Sequence, residues 1–314
     1  MFSRSMLGTV QFGLEYGIAN ESGKPSFDRV CEIVKTAFEG GVTALDTAAA
    51  YGTSEEVLGA ALERLGLREA MTVVSKVPPI PDGADAEAER FIERSLRESL
   101  RRLRLGRLAV CLLHREEDLR HLPLLEKMVG RGLTDGVGVS LDSNRFLAEA
   151  ASVRYLQLPC NLLDRRFDAF WPVAMQKRIH VFARSVYLQG LLLMPEARIR
   201  PNLSAVIPVR RGLEAVAREA GCTMAELCMR YVLSNPAVAS VLTGVDTPEQ
   251  MRENLRVAAL GPLPAAVFDR VQACVPDLPE PLVRPALWGL ARERRTSNAE
   301  RRTSNIERRT QKKR

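Results

Sequence analysis

Asp46, Tyr51, Lys76 and His114 each follow closely on a short apolar run that reads as a β-strand: VTALD, MTVVSK and LAVCLLH. Buried charge is costly unless it is paired or used, so a strand that ends on Lys or His needs a reason. In parallel α/β proteins, ligands gather where the C-terminal ends of strands open into loops. An acid, a phenol, an amine and an imidazole meeting there suit proton delivery to a carbonyl that is accepting hydride. Negative charge then develops on the carbonyl oxygen, and a positioned donor stabilises it. A free phenol has a pKa of about 10. The expectation is that Lys76 lowers it for Tyr51, that Asp46 pairs with Lys76 and holds it in place, and that His114 orients the carbonyl as a neutral donor. Each residue also has a plainer reading: Asp46 as a turn cap, Tyr51 as a surface aromatic, Lys76 as a strand-end lysine reaching water, His114 as a hydrogen-bonded core residue.

The elements that would position these residues alternate along the chain. From Met6 to about Leu260, apolar or β-branched runs (LGTVQF, VTALD, MTVVSK, LAVCLLH, DGVGVS, YLQLP, IHVFARS, VASVLTG) are separated by longer amphipathic stretches. Helical spacing of apolar residues predicts helices over residues 28–39, 54–65 and 87–105, the second with Ser54 as its N-cap. Strand–helix alternation calls for a parallel sheet. Eight units in a span that fits the roughly 250 residues of a barrel predict a single (β/α)8 TIM barrel, an α/β fold. An open Rossmann sheet is disfavoured, because no G-x-G-x-x-G follows the first strand. The Pro-rich residues 264–290, apolar around 267–271, are expected to pack over the barrel. The domain reading is therefore a barrel over residues 1–290 and a low-complexity basic tail over 291–314.

Composition limits the partners. The chain has 314 residues, 46% hydrophobic and 26% charged, the range of an ordinary soluble globular protein. The opening MFSRSMLGTVQFG lacks the apolar core and cleavage site of a signal peptide. No apolar run approaches the ~20 residues of a membrane helix. Six scattered cysteines, with no Cys-x-x-Cys pair and no zinc spacing, read as reduced thiols in a cytoplasmic protein that binds no metal. Residues 292–314 hold ten Lys/Arg against three Glu, which accounts for the whole net charge of +7 and leaves the rest neutral. No nucleic-acid partner is therefore expected for the barrel. The tail repeats every seven residues (RRTSNAE, RRTSNIE, RRTQ) and is so poor in apolar residues that disorder is predicted. It reads as a translated tandem repeat without function, or as an arm for a polyanion or a kinase that reads basic residues.

DTAAAYGTSEEVLG from Asp46, preceded by LGTVQFG and an amphipathic stretch ending in Gly-Gly-Val, resembles the aldo-keto reductase signature. The resemblance continues in order through VVSK, LLHREED, GVGVS, LQLPCNLLDRR, SVYLQGLL and GVDTPEQMREN, over about residues 6–260. It implies a (β/α)8 barrel that uses NADPH to reduce small-molecule carbonyls, with the family's catalytic Asp, Tyr, Lys and His falling on Asp46, Tyr51, Lys76 and His114. The chain looks most similar to a bacterial branch sometimes encoded beside surface-polysaccharide or sugar-nucleotide genes, a hint toward sugar-type carbonyls. By the same resemblance, Ser140 and Gln157 hold the nicotinamide carboxamide, Ser185 and Gln189 contact the pyrophosphate, and Gln250 and Asn254 contact the adenine. Thr9, Asp46, Arg184 and Gly244 complete the expected cofactor set. Gln250 and Asn254 also read simply as polar residues of the last barrel helix.

Three positions depart from the family pattern. Arg184 stands where many relatives stack a Tyr or Trp on the nicotinamide. Leu141 replaces the Asn that usually follows the Ser of GVS. Val245 and Asp246 stand where relatives often carry a Lys or Arg for the 2′-phosphate; Asp246 would repel that phosphate and keeps NADH open, unless Arg252 faces the site and compensates. A nicotinamide-binding sensor or regulatory subunit is the competing function, and dehydration or isomerisation through Tyr51 and Lys76 a third. The loops near 78–85 and 194–204 are expected to shape the substrate pocket.

Overall fold

Every one of the eight apolar runs contributes a strand: β1 Ser5–Gly8, β2 Ala44–Asp46, β3 Thr72–Val77, β4 Val110–Leu113, β5 Val137–Ser140, β6 Tyr155–Pro159, β7 His180–Arg184 and β8 Val238–Gly244. The computed structural model describes residues 2–18, 20 and 23–288; the tail reading for residues 291–314 lies outside them. The strands are parallel, pair in sequence order, and close with β8 against β1. The chain is thus a (β/α)8 barrel.

Strand side chains alternate between faces with a period of two, and the alternation here places the chemistry. Outward residues such as Leu45, Val73, Val77, Cys111, Leu113, Val139, Leu156 and Leu158 pack in the layer between sheet and helices. Inward residues fill the barrel: Met6, Ala44, Val74, Val110, Leu112 and Phe182 form one buried cluster. One step of two residues further along six of the eight strands, the inward position turns polar, while β1 and β8 end on Gly8 and Gly244. Ala44 is followed by Asp46, Val74 by Lys76, Leu112 by His114, Gly138 by Ser140, Tyr155 by Gln157 and Phe182 by Arg184. A layer of barrel filling at the C-terminal face is thereby exchanged for a ring of functional groups.

The helices fall near the expected ranges, at Phe27–Glu39, Ser54–Leu65 and Asp85–Leu103. Two local expectations need correction. The LGTVQF run is not one strand. β1 stops at Gly8, the Thr9 amide donates to the Asp46 carbonyl at 2.9 Å, and Val10–Gly13 is a helical turn. That turn sits so close to the loop bearing Tyr51 that a Cβ on Gly13 would lie 1.8 Å from the Tyr51 carbonyl oxygen. Ser54 is not an N-cap: the preceding residue, Thr53, occupies that position and makes no side-chain cap. The Ser54 hydroxyl instead donates to the Thr9 carbonyl at 2.7 Å and lies 2.8 Å from Thr9 Oγ1, tying the first and second strand ends together.

After the barrel, a helix at Ala265–Cys274 is followed by a short helix at Glu280–Val283 and a turn at Pro285–Leu287. Val283 and Trp288 are buried, so this segment packs on the barrel as expected, and it continues to the mouth. Among the described residues, no helix is long and apolar enough to cross a membrane.

Candidate active site

Lys76 and Asp46, 1% and 2% exposed, form a buried ion pair at the barrel mouth. Lys76 Nζ donates to Asp46 Oδ1 at 2.8 Å, to Asp46 Oδ2 at 2.7 Å and to the Thr47 carbonyl at 2.8 Å, so its three protons are all used. Burial is the largest single effect and works against the ammonium, but Asp46 and Tyr51 together more than offset it and hold the Lys76 pKa above its ordinary value. Gln157 Nε2 donates to Asp46 Oδ1 at 2.7 Å, and Ser140 Oγ lies 3.5 Å from Gln157 Oε1. Neither charge has been buried alone.

Tyr51 stands over this pair, with Lys76 Nζ 5.0 Å from the centre of its ring, a cation–π arrangement. The His114 ring meets the Tyr51 ring edge-on, with centres 5.5 Å apart. The expectation that Lys76 leaves Tyr51 more acidic than a free phenol is corrected. Burial is the larger effect and pushes the Tyr51 pKa up, with Lys76 opposing it. Tyr51 is therefore a protonated donor throughout the neutral range. Burial, reinforced by the Lys76 and Arg184 charges, pushes His114 down to about 3, so its imidazole is neutral. Its Nδ1 is buried without a hydrogen-bond partner.

Two cavities meet at these residues. A groove of about 570 Å³ runs from Tyr51, Asp46 and Gln157 past Thr9, Ser185, Gln189 and Gly244 to Gln250 and Asn254. A second cavity of about 490 Å³ opens above Tyr51 and His114 and is lined by Ser140, Arg115, Glu116, Asp142 and Arg284, among others. Tyr16, Tyr51, Gln157, Arg184, Ser185 and Gln189 line both. The residues expected at cofactor and catalysis are thus brought together, with Lys76 behind Asp46 rather than at either cavity wall. Some are already engaged within the protein. Thr9 Oγ1 donates to the Asp46 carbonyl at 2.9 Å. Asn254 accepts from the Tyr187 hydroxyl at 2.9 Å and donates to Thr243 Oγ1 at 3.2 Å, which ties its helix to the β7 and β8 ends.

The groove suits an extended ligand. Ser185, Leu188, Gln189 and Gly190 all have positive φ, curling the loop after β7 back along the groove. Gly244 leaves room that a Cβ would fill, 2.4 Å from Gln11 Oε1, and that oxygen is itself buried without a partner. The far end is acidic: Asp246, Glu249 and Glu253 line it. Arg252, which could have compensated, is not on the groove wall; it pairs with Glu249 at 2.9 Å.

Sequence reasoning missed part of the second cavity. No residue of 194–204 reaches either cavity, whereas Arg284, Pro285 and Ala286 of the C-terminal segment line the second cavity together with Pro79 of the expected 78–85 loop. Arg284 Nε donates to Asp142 Oδ2 at 2.6 Å, and buried Glu116 accepts from the Asp142 and Ser143 amides at 2.8 Å each. No local pattern signals a partnership between residues so far apart in sequence. Gln11 lay in plain view inside LGTVQFG, and its reading as part of a strand hid it.

Comparisons with known proteins agree with this architecture. The curated protein described as uncharacterized oxidoreductase YqkF from Bacillus subtilis is 26% identical over 278 residues, covering 80% of this chain and 90% of that one. The solved structure of the aldo-keto reductase AKR11C1 from Bacillus halodurans, in its holo form, superposes with a TM-score of 0.71 at 20% identity, covering 88% of this chain and 93% of that one. The structure of PA4992 from Pseudomonas aeruginosa gives 0.63 at 24% identity, covering 82% and 90%. The family model described as Aldo/keto reductase family matches residues 6–276. The chain belongs to the aldo/keto reductase family and is an NAD(P)H-dependent oxidoreductase of small-molecule carbonyls.

Proposed function

We propose that this protein reduces a small polyhydroxylated aldehyde or ketone to the alcohol, with Tyr51 as the general acid. The observation that carries the reading is the protonated Tyr51 phenol at the junction of groove and cavity, above the buried Lys76–Asp46 pair. A bound dihydronicotinamide supplies hydride to the carbonyl carbon. Tyr51 gives its proton to the carbonyl oxygen as that oxygen gains charge, and the phenolate left behind is stabilised by the Lys76 ammonium. Asp46 keeps that ammonium in place and charged. His114, neutral, offers a ring N–H to the same oxygen and turns the carbonyl toward the hydride donor. Solvent returns a proton to Tyr51 once the alcohol has left, so one carbonyl, one reduced cofactor and one proton give one alcohol and one oxidised cofactor.

Ser140 and Gln157, adjacent at the ends of β5 and β6, would hold the carboxamide of the ring, and Ser185 and Gln189 the pyrophosphate. Family resemblance implies NADPH, but the charges along the groove favour NADH. A 2′-phosphate would lie against Asp246, Glu249 and Glu253, whereas a free ribose hydroxyl would donate a hydrogen bond to Asp246. The second cavity supports the substrate class. Its walls carry both acids and guanidiniums (Glu116, Glu117, Asp142 with Arg115, Arg184, Arg284) and, among the described residues, no large aliphatic side chain. Such walls match a substrate dense in hydroxyls, in line with the resemblance to reductases encoded beside polysaccharide genes. The assembled quartet also favours turnover over a purely sensing role. Tyr51→Phe is expected to lower turnover on sugar-type aldehydes by about 10²–10⁴-fold with dinucleotide affinity nearly unchanged. Loss of reduced-nicotinamide absorbance is the assay, and a variant as fast as the wild type would remove Tyr51 from this role.

A further inference from the structure

Arg184, at the inward end of β7, lines both cavities and is the only Lys or Arg among the described residues on the wall of the longer groove. It is 21% exposed by side chain. Its Nη2 donates to the Leu141 carbonyl and to Asp142 Oδ1, both at 2.9 Å, and its Nη1 donates to Ser185 Oγ at 3.2 Å. The guanidinium is thus fixed in place and remains charged at every accessible pH. Asp142 also accepts from Arg284 Nε at 2.6 Å, and Arg284 pairs in turn with Glu280 at 3.0 Å. Lys76, by contrast, has both oxygens of Asp46 to itself among the cations. Arg184 depresses His114 and opposes the upward shift of Tyr51, so its field reaches the point where the cavities meet.

Hydride must pass to a carbon whose oxygen contacts Tyr51, so the reactive ring belongs at that same point. The ring is neutral when reduced and carries a positive charge when oxidised. We propose that Arg184 is a charge discriminator: it makes this site hold the reduced dinucleotide more tightly than the oxidised one, favouring carbonyl reduction and release of the spent cofactor. The inference rests on the nicotinamide reading of the groove and assigns a specific property to one residue within it.

Calorimetric titration of the full chain with NADH and with NAD⁺ tests it without turnover. The wild type is expected to bind NADH more tightly. Arg184→Gln should narrow the ratio of the two dissociation constants about tenfold, or about 1.4 kcal/mol, chiefly by tightening NAD⁺. Arg184→Lys should keep the ratio within about threefold of the wild type, because the charge remains. Asp142→Asn, which removes a countercharge, should widen it. A wild-type ratio retained in Arg184→Gln, or an equal narrowing in Arg184→Lys, would overturn the proposal. If Arg184→Gln does not fold, Asp142→Asn decides: widening supports the proposal, and an unchanged or narrowed ratio refutes it. A wild type that binds neither dinucleotide would bring down the cofactor reading as well, whereas tight binding with an unresponsive ratio defeats only the role of Arg184.

Discussion

Replacing Lys76 by Met keeps most of the side-chain volume and removes the ammonium. Asp46 then loses both of its contacts with Nζ, at 2.8 and 2.7 Å, and keeps only the Gln157 amide at 2.7 Å. Breaking a buried pair by removing one partner costs about 3–5 kcal/mol, and the near-complete burial of both groups places this site fully within that class. The double substitution Asp46→Asn with Lys76→Met removes the uncompensated charge and should recover most of the stability with none of the activity. Urea unfolding of the single and double variants is the measurement. A single-variant loss below about 1 kcal/mol, or a double variant no more stable than the single one, would show that the pair is not the buried, mutually dependent unit described above.

Two further predictions concern the ends of the site. Asp246→Arg should move dinucleotide preference toward NADPH by about tenfold or more, since one bidentate phosphate contact replaces a repulsion; unchanged relative affinities for NADH and NADPH would place the ribose elsewhere. His114 is held at about 3 against an ordinary value of about 6.5, so in that interval the unfolded chain binds the extra proton. Its neutral, buried state therefore adds stability above pH 6.5 that is lost as pH falls toward 3, and His114→Gln should flatten the fall in melting temperature between pH 6.5 and 4; a melting curve as acid-sensitive as the wild type would assign that lability to other groups.

The parts of the site set by strand periodicity were legible in the sequence. Each inward position two residues beyond an apolar barrel residue belongs to the same face, so Asp46, Lys76 and His114 could be recognised as a set once the runs were read as strands, whereas Ser140, Gln157 and Arg184 were picked out by the family resemblance. The convergence of eight strand ends then brings side chains far apart in sequence to one mouth. Contacts with no local pattern were not legible. Arg284 meets Asp142 because the segment after the last barrel helix returns across the mouth, and no spacing in the Pro-rich stretch encodes that. Ser54 looked like a cap because Ser before an amphipathic run usually is one. Here the Thr9 carbonyl and the Thr9 and Thr47 hydroxyls, at 2.7, 2.8 and 3.0 Å, take its hydroxyl into the barrel end instead. Tyr51 acidity failed as a sequence inference for a related reason: the charge of Lys76 could be read from its position, but the burial that outweighs it depends on the whole surrounding shell.

The two cations beside the phenol meet different requirements, and their counterions differ accordingly. Lys76 must stay charged inside the barrel while Tyr51 passes from phenol to phenolate, which calls for a carboxylate held rigidly and matched to it alone. Asp46 meets that need because Gln157 fixes one of its oxygens and the strand fixes its backbone. Arg184 needs no such protection, since a guanidinium keeps its proton at any accessible pH. Its counterion can be shared with Arg284, itself paired with Glu280 at 3.0 Å, without risk to its charge state. Lys76, were it to share its carboxylate with a second cation in the same way, would be prone to deprotonate on burial.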